Sequence, residues 1–507
     1  MDHKFTNQLG CALINISNRL AYMGRQEEAL SANQEAVKLY RQLVLDCPAE
    51  YNPNLAISLS NLSVQLLDLG QREEALIAIQ ESVALCRPLA ENRSATGRPN
   101  LALFLSNLSS RLSAVGRQDD ALAAIQESLA LYREHAEDSP ATVNPNLARC
   151  LSTLSIQLSS LGQLEPALAA TQECLTLYRQ LTMGSPDVFN RELALALGNY
   201  SAQLSALGQR EDALVAIHES VSLYRQLAED FPAAINPHLA RSLDNLSIRL
   251  SAVGKYEDAL IAIQECVVLR RQLAEDYPAA FNPDFAHSLG TLSNRLSNLG
   301  QHESALGAIR ESVALYRLLA EGRPAAFNSD LARCLYNLSS CLSNLGQQVE
   351  ALAAAHESVT LCRRLAESHP AAFNPGLALS LYGLSSRLSK QGQKADALVA
   401  IREAVTLYQQ LAEDYPVAFN PHLAPTLNNL SSLLSSLDFR EEALAAAKEA
   451  VELFRPLASD IPAVFKSQLA GSLRTFSISL RNLDQKEAAA AAEQEADRLD
   501  LFEAPSA

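Results

Sequence analysis

Several residue types and patterns that would narrow the function are scarce or missing. The 507-residue chain has no Trp, only 3 Met and 6% aromatic residues. No apolar run approaches the length of a membrane span, and the first residues lack the basic and apolar regions of a secretory signal. We therefore expect no membrane segment and a cytoplasmic location.

Cysteine clusters and an excess of positive charge are also missing. The nine cysteines are scattered and form no CxxC motif, which is typical of reduced thiols and not of a disulfide or zinc framework. The 57 acidic residues outnumber the 41 basic ones, so the net charge is −16. Because binding to a phosphate backbone requires a basic surface, we do not expect nucleic acid as a partner.

What is present is one unit used many times. The segment LGQREEAL at 69–76 returns as LGQREDAL at 207–214, and weaker copies recur at a constant spacing of 46 positions. Eleven units fill essentially the whole chain, which predicts a single array over residues 1–507 without a separate catalytic domain. The residue that marks each unit, here called the pivot, falls at Gly24, Gly70, Gly116, Gly162, Gly208, Gly254, Gly300, Gly346, Gly392, Asp438 and Asp484.

Each unit carries two helical patterns. Three apolar positions before the pivot, held by Leu59, Leu62 and Leu66 in the second unit, form one stripe of an amphipathic helix A, and the pivot Gly is suited to end that helix. We expect helix A to begin at Asn-Pro pairs such as Asn52-Pro53, with Asn as the cap. Helix B follows and should end near a proline that recurs in nine of the eleven units, such as Pro48. The predicted lengths are about 17 and about 21 residues.

Small residues indicate where the two helices cross. Ser stands seven residues before the pivot in every unit, and Ala stands five residues after it. A larger side chain at either place would hold the helices apart. A single hairpin cannot bury its apolar stripe, so the units are expected to stack. The last unit becomes polar and Ala-rich, as a C-terminal cap should.

These positions resemble those of the tetratricopeptide repeat (TPR). Leu62-Ser63, Leu66, Gly70 and Ala75 show the family's apolar, small, apolar, Gly and Ala pattern, and the resemblance covers all eleven units. The usual period is about 34 residues, so this longer unit is more similar to the repeats of kinesin light chains and nephrocystin-like proteins. The resemblance implies an all-α, right-handed superhelical solenoid that works as a protein-binding scaffold.

The strongest functional signal is an asparagine nine residues before the pivot. In TPR arrays this position faces the concave groove, so the resemblance implies that the row binds the main chain of an extended peptide. A carboxamide both donates and accepts hydrogen bonds, which suits that role. Alternatively, these side chains bond to a neighbouring helix or are simply hydrated. The row comprises Asn15, Asn61, Asn107, Asn199, Asn245, Asn337 and Asn429.

Basic and aromatic side chains lie near this row in the central units. One helical turn before the asparagine position stand Arg149, Arg241, His287 and Arg333. Tyr336 and Tyr382 each directly precede that position. A guanidinium beside a carboxamide resembles the carboxylate clamps of some TPR proteins, which favours an acidic peptide or a terminal carboxylate. Asp244 argues against this locally, and surface arginines without a ligand are the alternative.

Two further rows are assigned to structure. Arg recurs at one position of helix B in nine units and is often followed four residues later by Glu, as in Arg87 and Glu91, which predicts ion pairs within helix B. Glu recurs at an earlier position of helix B in every unit, as in Glu35, Glu81 and Glu127. We interpret the Glu row as a solvated convex face, and a second binding surface is the alternative.

Enzyme chemistry has little support in the sequence. The nine histidines are spread over several repeat positions without a recurring cluster of acidic or thiol side chains, and no Gly-rich phosphate loop occurs. We expect no catalytic site, cofactor or metal. The predicted function is a non-enzymatic scaffold for a protein or peptide partner. The alternative is a structural or regulatory arm that self-associates through its terminal units and binds no peptide.

Overall fold

The computed structural model describes residues 3–22, 25–91, 97–138, 140–460 and 462–501. In those residues the chain forms 22 α-helices and no β-strand. Odd-numbered helices are helix A of successive repeats and even-numbered helices are helix B, so the prediction of an all-α array of helical hairpins is confirmed. No helix in the described part is both long and apolar enough to cross a bilayer.

The chain divides into two compact units, residues 1–254 and 255–507. The first unit contains α1 (His3–Tyr22), α2 (Gln26–Asp46), α3 (Pro48–Asp68), α4 (Arg72–Glu91), α5 (Gly97–Ala114), α6 (Gln118–Asp138), α7 (Pro140–Ser160), α8 (Leu164–Gly184), α9 (Pro186–Ala206), α10 (Arg210–Asp230) and α11 (Pro232–Ala252). The second contains α12 (Tyr256–Asp276), α13 (Pro278–Asn298), α14 (His302–Gly322), α15 (Pro324–Asn344), α16 (Gln348–Ser368), α17 (Pro370–Lys390), α18 (Lys394–Asp414), α19 (Pro416–Ser436), α20 (Arg440–Asp460), α21 (Pro462–Arg481) and α22 (Lys486–Leu501).

The pivot ends helix A as the sequence predicts. Gly70 has a φ of 78°, and the next N–H, that of Gln71, donates to the carbonyl of Leu66 at 2.8 Å. This is the left-handed C-terminal cap that glycine favours. Asp438 adopts the same region with a φ of 66°, at the steric cost that a side chain carries there. The first pivot, Gly24, lies outside the described residues.

Helix A begins five residues earlier than predicted. In the second repeat α3 starts at Pro48 and runs through Asn52-Pro53, so the assignment of Asn52 as a helix cap is wrong. Helix A is therefore 21 residues long and not shorter than helix B. Proline fits the first helical position because the N–H it lacks has no partner there. Pro48 thus both follows the end of helix B and starts the next helix A, with Cys47 as the only residue between them.

Helices A and B of one repeat cross where the small residues recur. Ser201 Oγ donates to the carbonyl oxygen of Ala213 at 2.7 Å, and Ser385 Oγ donates to that of Ala397 at 2.8 Å. Both alanines have no exposed surface. A hydrogen bond to the backbone across the crossing requires that the two helices stay close, which explains why both positions are small.

Successive repeats are joined by a buried polar contact between their A helices, here called the inner junction. A long side chain five residues before the pivot donates to a serine of the preceding helix A. Arg111 Nε reaches Ser63 Oγ at 3.0 Å, and Gln203 Nε2 reaches Ser159 Oγ at 3.1 Å. Burial lowers the pKa of Arg111, an effect that the carboxylate of Asp68 partly offsets.

A second contact joins successive B helices on their exposed side, here called the outer ladder. The predicted ion pairs within helix B are wrong: Arg87 is bonded to Glu127 of the next repeat at 2.6 Å, and Arg317 to Glu357 at 2.8 Å. The hydrogen bond to Glu127 is the main reason why the pKa of Arg87 is raised, and Glu91 contributes less. The Arg row of one repeat and the Glu row of the next therefore form the same set of ion pairs. The ladder pairs are Arg41–Glu81, Arg87–Glu127, Arg133–Glu173, Arg179–Glu219, Arg271–Glu311, Arg317–Glu357, Arg363–Glu403 and Arg455–Glu495.

The nine cysteines are all free thiols, as predicted, and seven of them are buried. Cys174 takes the position that serine occupies in other repeats and donates to the carbonyl of Ala148 at 3.2 Å, as Ser220 does to Ala194 at 2.7 Å. Such cysteines act as small packing residues with a weak donor.

Candidate functional site

One side of the A helices is open in each unit. Helices α3, α5, α7 and α9 each contact the next helix A, as do α13, α15 and α19, whereas no two successive B helices of the described residues pack together to the same extent. The A helices of a unit are therefore nearer to one another and lie on the inner side of its curve. The A-helix face, as we call it, is formed by four positions of each helix A, which in α11 are held by Arg241, Asn245, Ile248 and Ala252.

The predicted asparagines lie on this face with most of their carboxamides unused. Asn15 and Asn429 are exposed, and the other five are partly exposed. Asn107 Nδ2 donates to Ser60 Oγ of the preceding repeat at 3.1 Å. Within the described residues the side chains of the six remaining asparagines have no hydrogen-bond partner. Bonding to a neighbouring helix, the alternative interpretation, thus applies to Asn107 alone.

The repeats without asparagine at this position have either threonine or glycine there. Thr153, Thr291 and Thr475 donate to carbonyls one turn earlier in their own helix, so their hydroxyl protons are not free. At Gly383 a Cβ atom would lie 2.6 Å from the ring of Tyr336. Tyr336 therefore occupies the space of an asparagine side chain, and burial raises its pKa. Tyr382, one repeat further on, is also half-buried.

The arginines of the first unit are exposed beside buried tyrosines. Arg149 Nη2 donates to Asn146 Oδ1 at 2.8 Å. Burial raises the pKa of Tyr132 to about 12, and the charge of Arg149 partly offsets this rise. Burial also raises the pKa of Tyr224, and the charge of Arg241 partly offsets that rise. Asp244, which argued against an acidic ligand, is only 5% exposed. Its carboxylate is therefore largely withdrawn from the face.

Arg333 of the second unit already has an anionic partner. Its Nη2 lies 2.6 Å from Asp330 Oδ1 and 3.3 Å from His287 Nδ1 of the preceding repeat. Burial lowers the pKa of Arg333, but the hydrogen bond and the charge of Asp330, together with smaller contributions from Cys334 and Tyr316, raise it by more. Arg333 and His287 are thus brought together, and a ligand carboxylate would have to compete with Asp330.

An apolar row that was not predicted lies on the same face. Six residues before the pivot stand Val64, Ile156 and Ile248, which are 39%, 50% and 37% exposed. The signal was available in the sequence, because isoleucine and valine recur at one position that the buried stripe does not use. In the second unit only the last repeat has an apolar residue there, and the other four have Asn294, Ser340, Ser386 and Ser432. The A-helix face is therefore more apolar in the first unit and more polar in the second.

Among the described residues no group of three or more His, Cys, Asp or Glu side chains could hold a metal ion.

The comparisons with known proteins agree with this architecture. The family model described as tetratricopeptide repeat matches residues 12–45, 101–141, 239–277, 331–371 and 423–455. The model of anaphase-promoting complex subunit 5 matches residues 49–97 and 190–231. No curated protein matches the chain.

Many solved structures are similar at low identity. BtubC (BKLC) from P. vanneervenii is 16% identical, covers 49% of this chain and 92% of its own, and gives a TM-score of 0.40. The apo form of RapI is 13% identical, covers 62% of this chain and 99% of its own, and gives a TM-score of 0.44. TPR-like repeats from Podosopora anserina, described as from a putative kinesin light chain, are 16% identical, cover 44% and 98%, and give 0.35. The tetratricopeptide repeat model thus matches five separate segments of the chain, and the stacked helical hairpins of the described residues agree with it.

Proposed function

We propose that the chain is a non-enzymatic scaffold that binds an extended segment of a protein partner along its A-helix face. The observation that carries this proposal is the row of asparagines with unused carboxamides. Asparagine is a poor helix former and needs a reason to recur in the middle of a helix. A main-chain amide of a partner would supply the acceptor and donor that these carboxamides lack.

The chemistry of the partner segment follows from the side chains on the A-helix face of the first unit. Val64, Ile156 and Ile248 favour apolar side chains over the first unit. Arg149 and Arg241 favour acidic side chains nearby, because their guanidinium groups are exposed. We also propose that the eleven repeats form one array, because the spacing of the pivots continues unchanged through residues 254 and 255.

The free thiols support a reducing location. All nine cysteines are free, and disulfides are rare in proteins of reducing compartments. We propose that the protein acts in the cytoplasm.

The test replaces the asparagines without changing the fold. Dodecapeptides are selected against the full chain from a random display library, and their affinity is measured by fluorescence anisotropy. Asn199→Ala, Asn245→Ala and Asn337→Ala together should weaken binding at least tenfold, since each lost hydrogen bond contributes about 1 kcal/mol. The melting temperature should not fall, because these side chains make no bond within the described residues.

The matched control uses asparagines near the start of the same three helices. Asn190→Ala, Asn236→Ala and Asn328→Ala remove identical groups from α9, α11 and α15 but outside the A-helix face. Their combination should leave the affinity unchanged. Equal losses in both triple variants, or no loss in either, would exclude the asparagine row as the binding element.

The second candidate is an arm that self-associates through a terminal repeat and binds no peptide. Phe5 and Leu9 of α1 are 65% and 42% exposed, whereas Leu55, at the position of Leu9 in the second repeat, is 3% exposed. This apolar surface favours contact with another chain. Sedimentation equilibrium decides between the two: a dimer that Phe5→Ser and Leu9→Ser dissociate, together with no selected peptide, would favour self-association.

A further inference from the structure

The second unit contains a polar pocket that is lined in part by two lysines. It lies between α17 and α19, beside the start of α18, and has a volume of about 280 Å³. It is lined by Ser385, Ser386, Ser389, Lys390, Lys394, Asn429, Ser432, Leu433 and Ser436. Asn429 is an exposed member of the asparagine row, so the pocket opens on the A-helix face.

The two lysines carry unbalanced positive charge. Lys390 Nζ donates to Ser343 Oγ at 3.0 Å, and Lys394 Nζ donates to the carbonyl of Ser436 at 3.4 Å. Neither forms an ion pair within the described residues. An ammonium group has three donors, so each lysine keeps two for a ligand.

The remaining groups of the pocket suit an anion. The polar lining residues other than the lysines are serines and one asparagine, and no carboxylate is among them. Arg387 adds positive charge next to Ser386 and is bonded to Ser340 Oγ at 2.9 Å. The chain as a whole has a net charge of −16, so three cations within eight residues are a local reversal of its charge.

The sequence shows that this arrangement occurs once. Lys390 stands two residues before its pivot, a position where no other repeat has a basic residue. Lys394 stands two residues after the same pivot. In the fifth repeat these positions hold Ala206 and Arg210, and Arg210 is bonded to the carbonyl of Ala252 at 3.1 Å. Only the ninth repeat has a basic residue at both of these positions.

We propose that this pocket binds the phosphoryl group of a phosphorylated serine or threonine in the partner segment. Two lysines match the charge of about −1.5 to −2 that a phosphoryl group carries near neutral pH, whereas a carboxylate carries only one charge. Lysine binds phosphate as a point charge. Ser385, Ser432 and Ser436 already donate to backbone carbonyls, so the hydroxyls of Ser386 and Ser389 and the amide of Asn429 are the neutral donors for its oxygens. The inference rests on the proposed function, since the phosphoryl group is delivered by a peptide on the A-helix face.

The experiment uses three pools of random dodecapeptides with a fixed central phosphoserine, serine or glutamate. Fluorescence anisotropy with the full chain should show that the phosphoserine pool binds at least tenfold more tightly than the serine pool. The preference should weaken as salt is raised, because the lysines are partly exposed. Lys390→Gln with Lys394→Gln should abolish the preference.

The matched control removes the same charge elsewhere. Lys38→Gln with Lys448→Gln changes two exposed lysines of α2 and α20 and should keep the preference. A preference that survives K390Q/K394Q, or equal binding of the glutamate and phosphoserine pools, overturns the assignment of a phosphoryl site while the proposed function stands. If no pool binds, the proposed function fails and this inference fails with it.

Discussion

The inner junction and the outer ladder join the same repeats by opposite means. At the inner junction Arg111 and Gln203 are 6% and 4% exposed, and their donors meet serines away from water. On the outer ladder the side chains of Arg317 and Glu357 are 53% and 41% exposed. A buried polar group that loses its partner keeps the cost of desolvation, whereas an exposed ion pair is replaced by water. Stability should therefore depend on the inner junction far more than on the more regular ladder.

The largest loss of stability is expected beside the inner junction, where Gly383 of α17 packs against Tyr336 of α15. Gly383→Asn restores the side chain that neighbouring repeats carry, but its Cβ would lie 2.6 Å from the ring of Tyr336. We expect a loss of about 3 kcal/mol, at the upper end for overpacking. Urea unfolding with hydrogen exchange of α15 and α17 measures it. Tyr336→Ser in the same chain should recover most of the loss, and if it does not, the ring is not the cause.

The next effect comes from a hydrogen-bonded glutamine. Gln203→Ala removes the donor to Ser159 and the acceptor at 2.8 Å of the Thr171 hydroxyl. The expected loss is about 2 kcal/mol, because buried polar groups lose their partner. Hydrogen exchange in α8 and α9 should accelerate. The exposed Gln180→Ala in α8 is the control and should change stability by less than about 0.5 kcal/mol.

An ion pair of the outer ladder should contribute much less to stability. Arg317→Ala, Glu357→Ala and the double variant form a cycle whose coupling energy we expect to be below about 1 kcal/mol and lower still at high salt. Thermal unfolding at low and high NaCl gives the value. A coupling above that of the inner junction would reverse the comparison.

The smallest change in stability is expected from a contact that lies outside both the inner junction and the outer ladder. His238 of α11 stacks on Tyr224 of α10, with ring centroids 5.8 Å apart. Burial lowers the pKa of His238, and Arg241 and Arg191 lower it further. The unfolded chain therefore binds a proton first, so this site loses stability as the pH falls below about 6.5. His238→Gln should reduce the fall in melting temperature between pH 7.5 and 5.5, whereas the exposed His356→Gln should not.

The hairpins could be predicted from the sequence because apolar and small residues recur at the same positions of every repeat, and these positions are the buried ones. The pivot and the Ser and Ala crossing were found at their observed places. The start of helix A was missed because Asn52-Pro53 has the composition of a cap, although Pro48 already begins the helix. The ladder was missed because Arg87 has one glutamate on its own helix and another in the next repeat, and both spacings recur along the chain. Only the packing of successive B helices decides between them.

The candidate site was predicted in part for the same reason. The asparagine row recurs, so its position could be found, but whether its carboxamides were used depended on contacts with the preceding helix. Lys390 was missed because a residue that occurs once has no period. Features shared by all repeats describe the scaffold, and a departure in a single repeat is a better indicator of a specific ligand.

The fixed offset of the ladder bears on how such a chain can change its length. Arg87 and Glu127 are 40 residues apart, as are Arg455 and Glu495 in the last two repeats. The arginine of a duplicated repeat would pair with the glutamate of the repeat after it, and its glutamate would pair with the arginine of the repeat before it. Tandem copying at the level of the gene therefore preserves every ladder pair, and a longer or shorter array needs no compensating substitution.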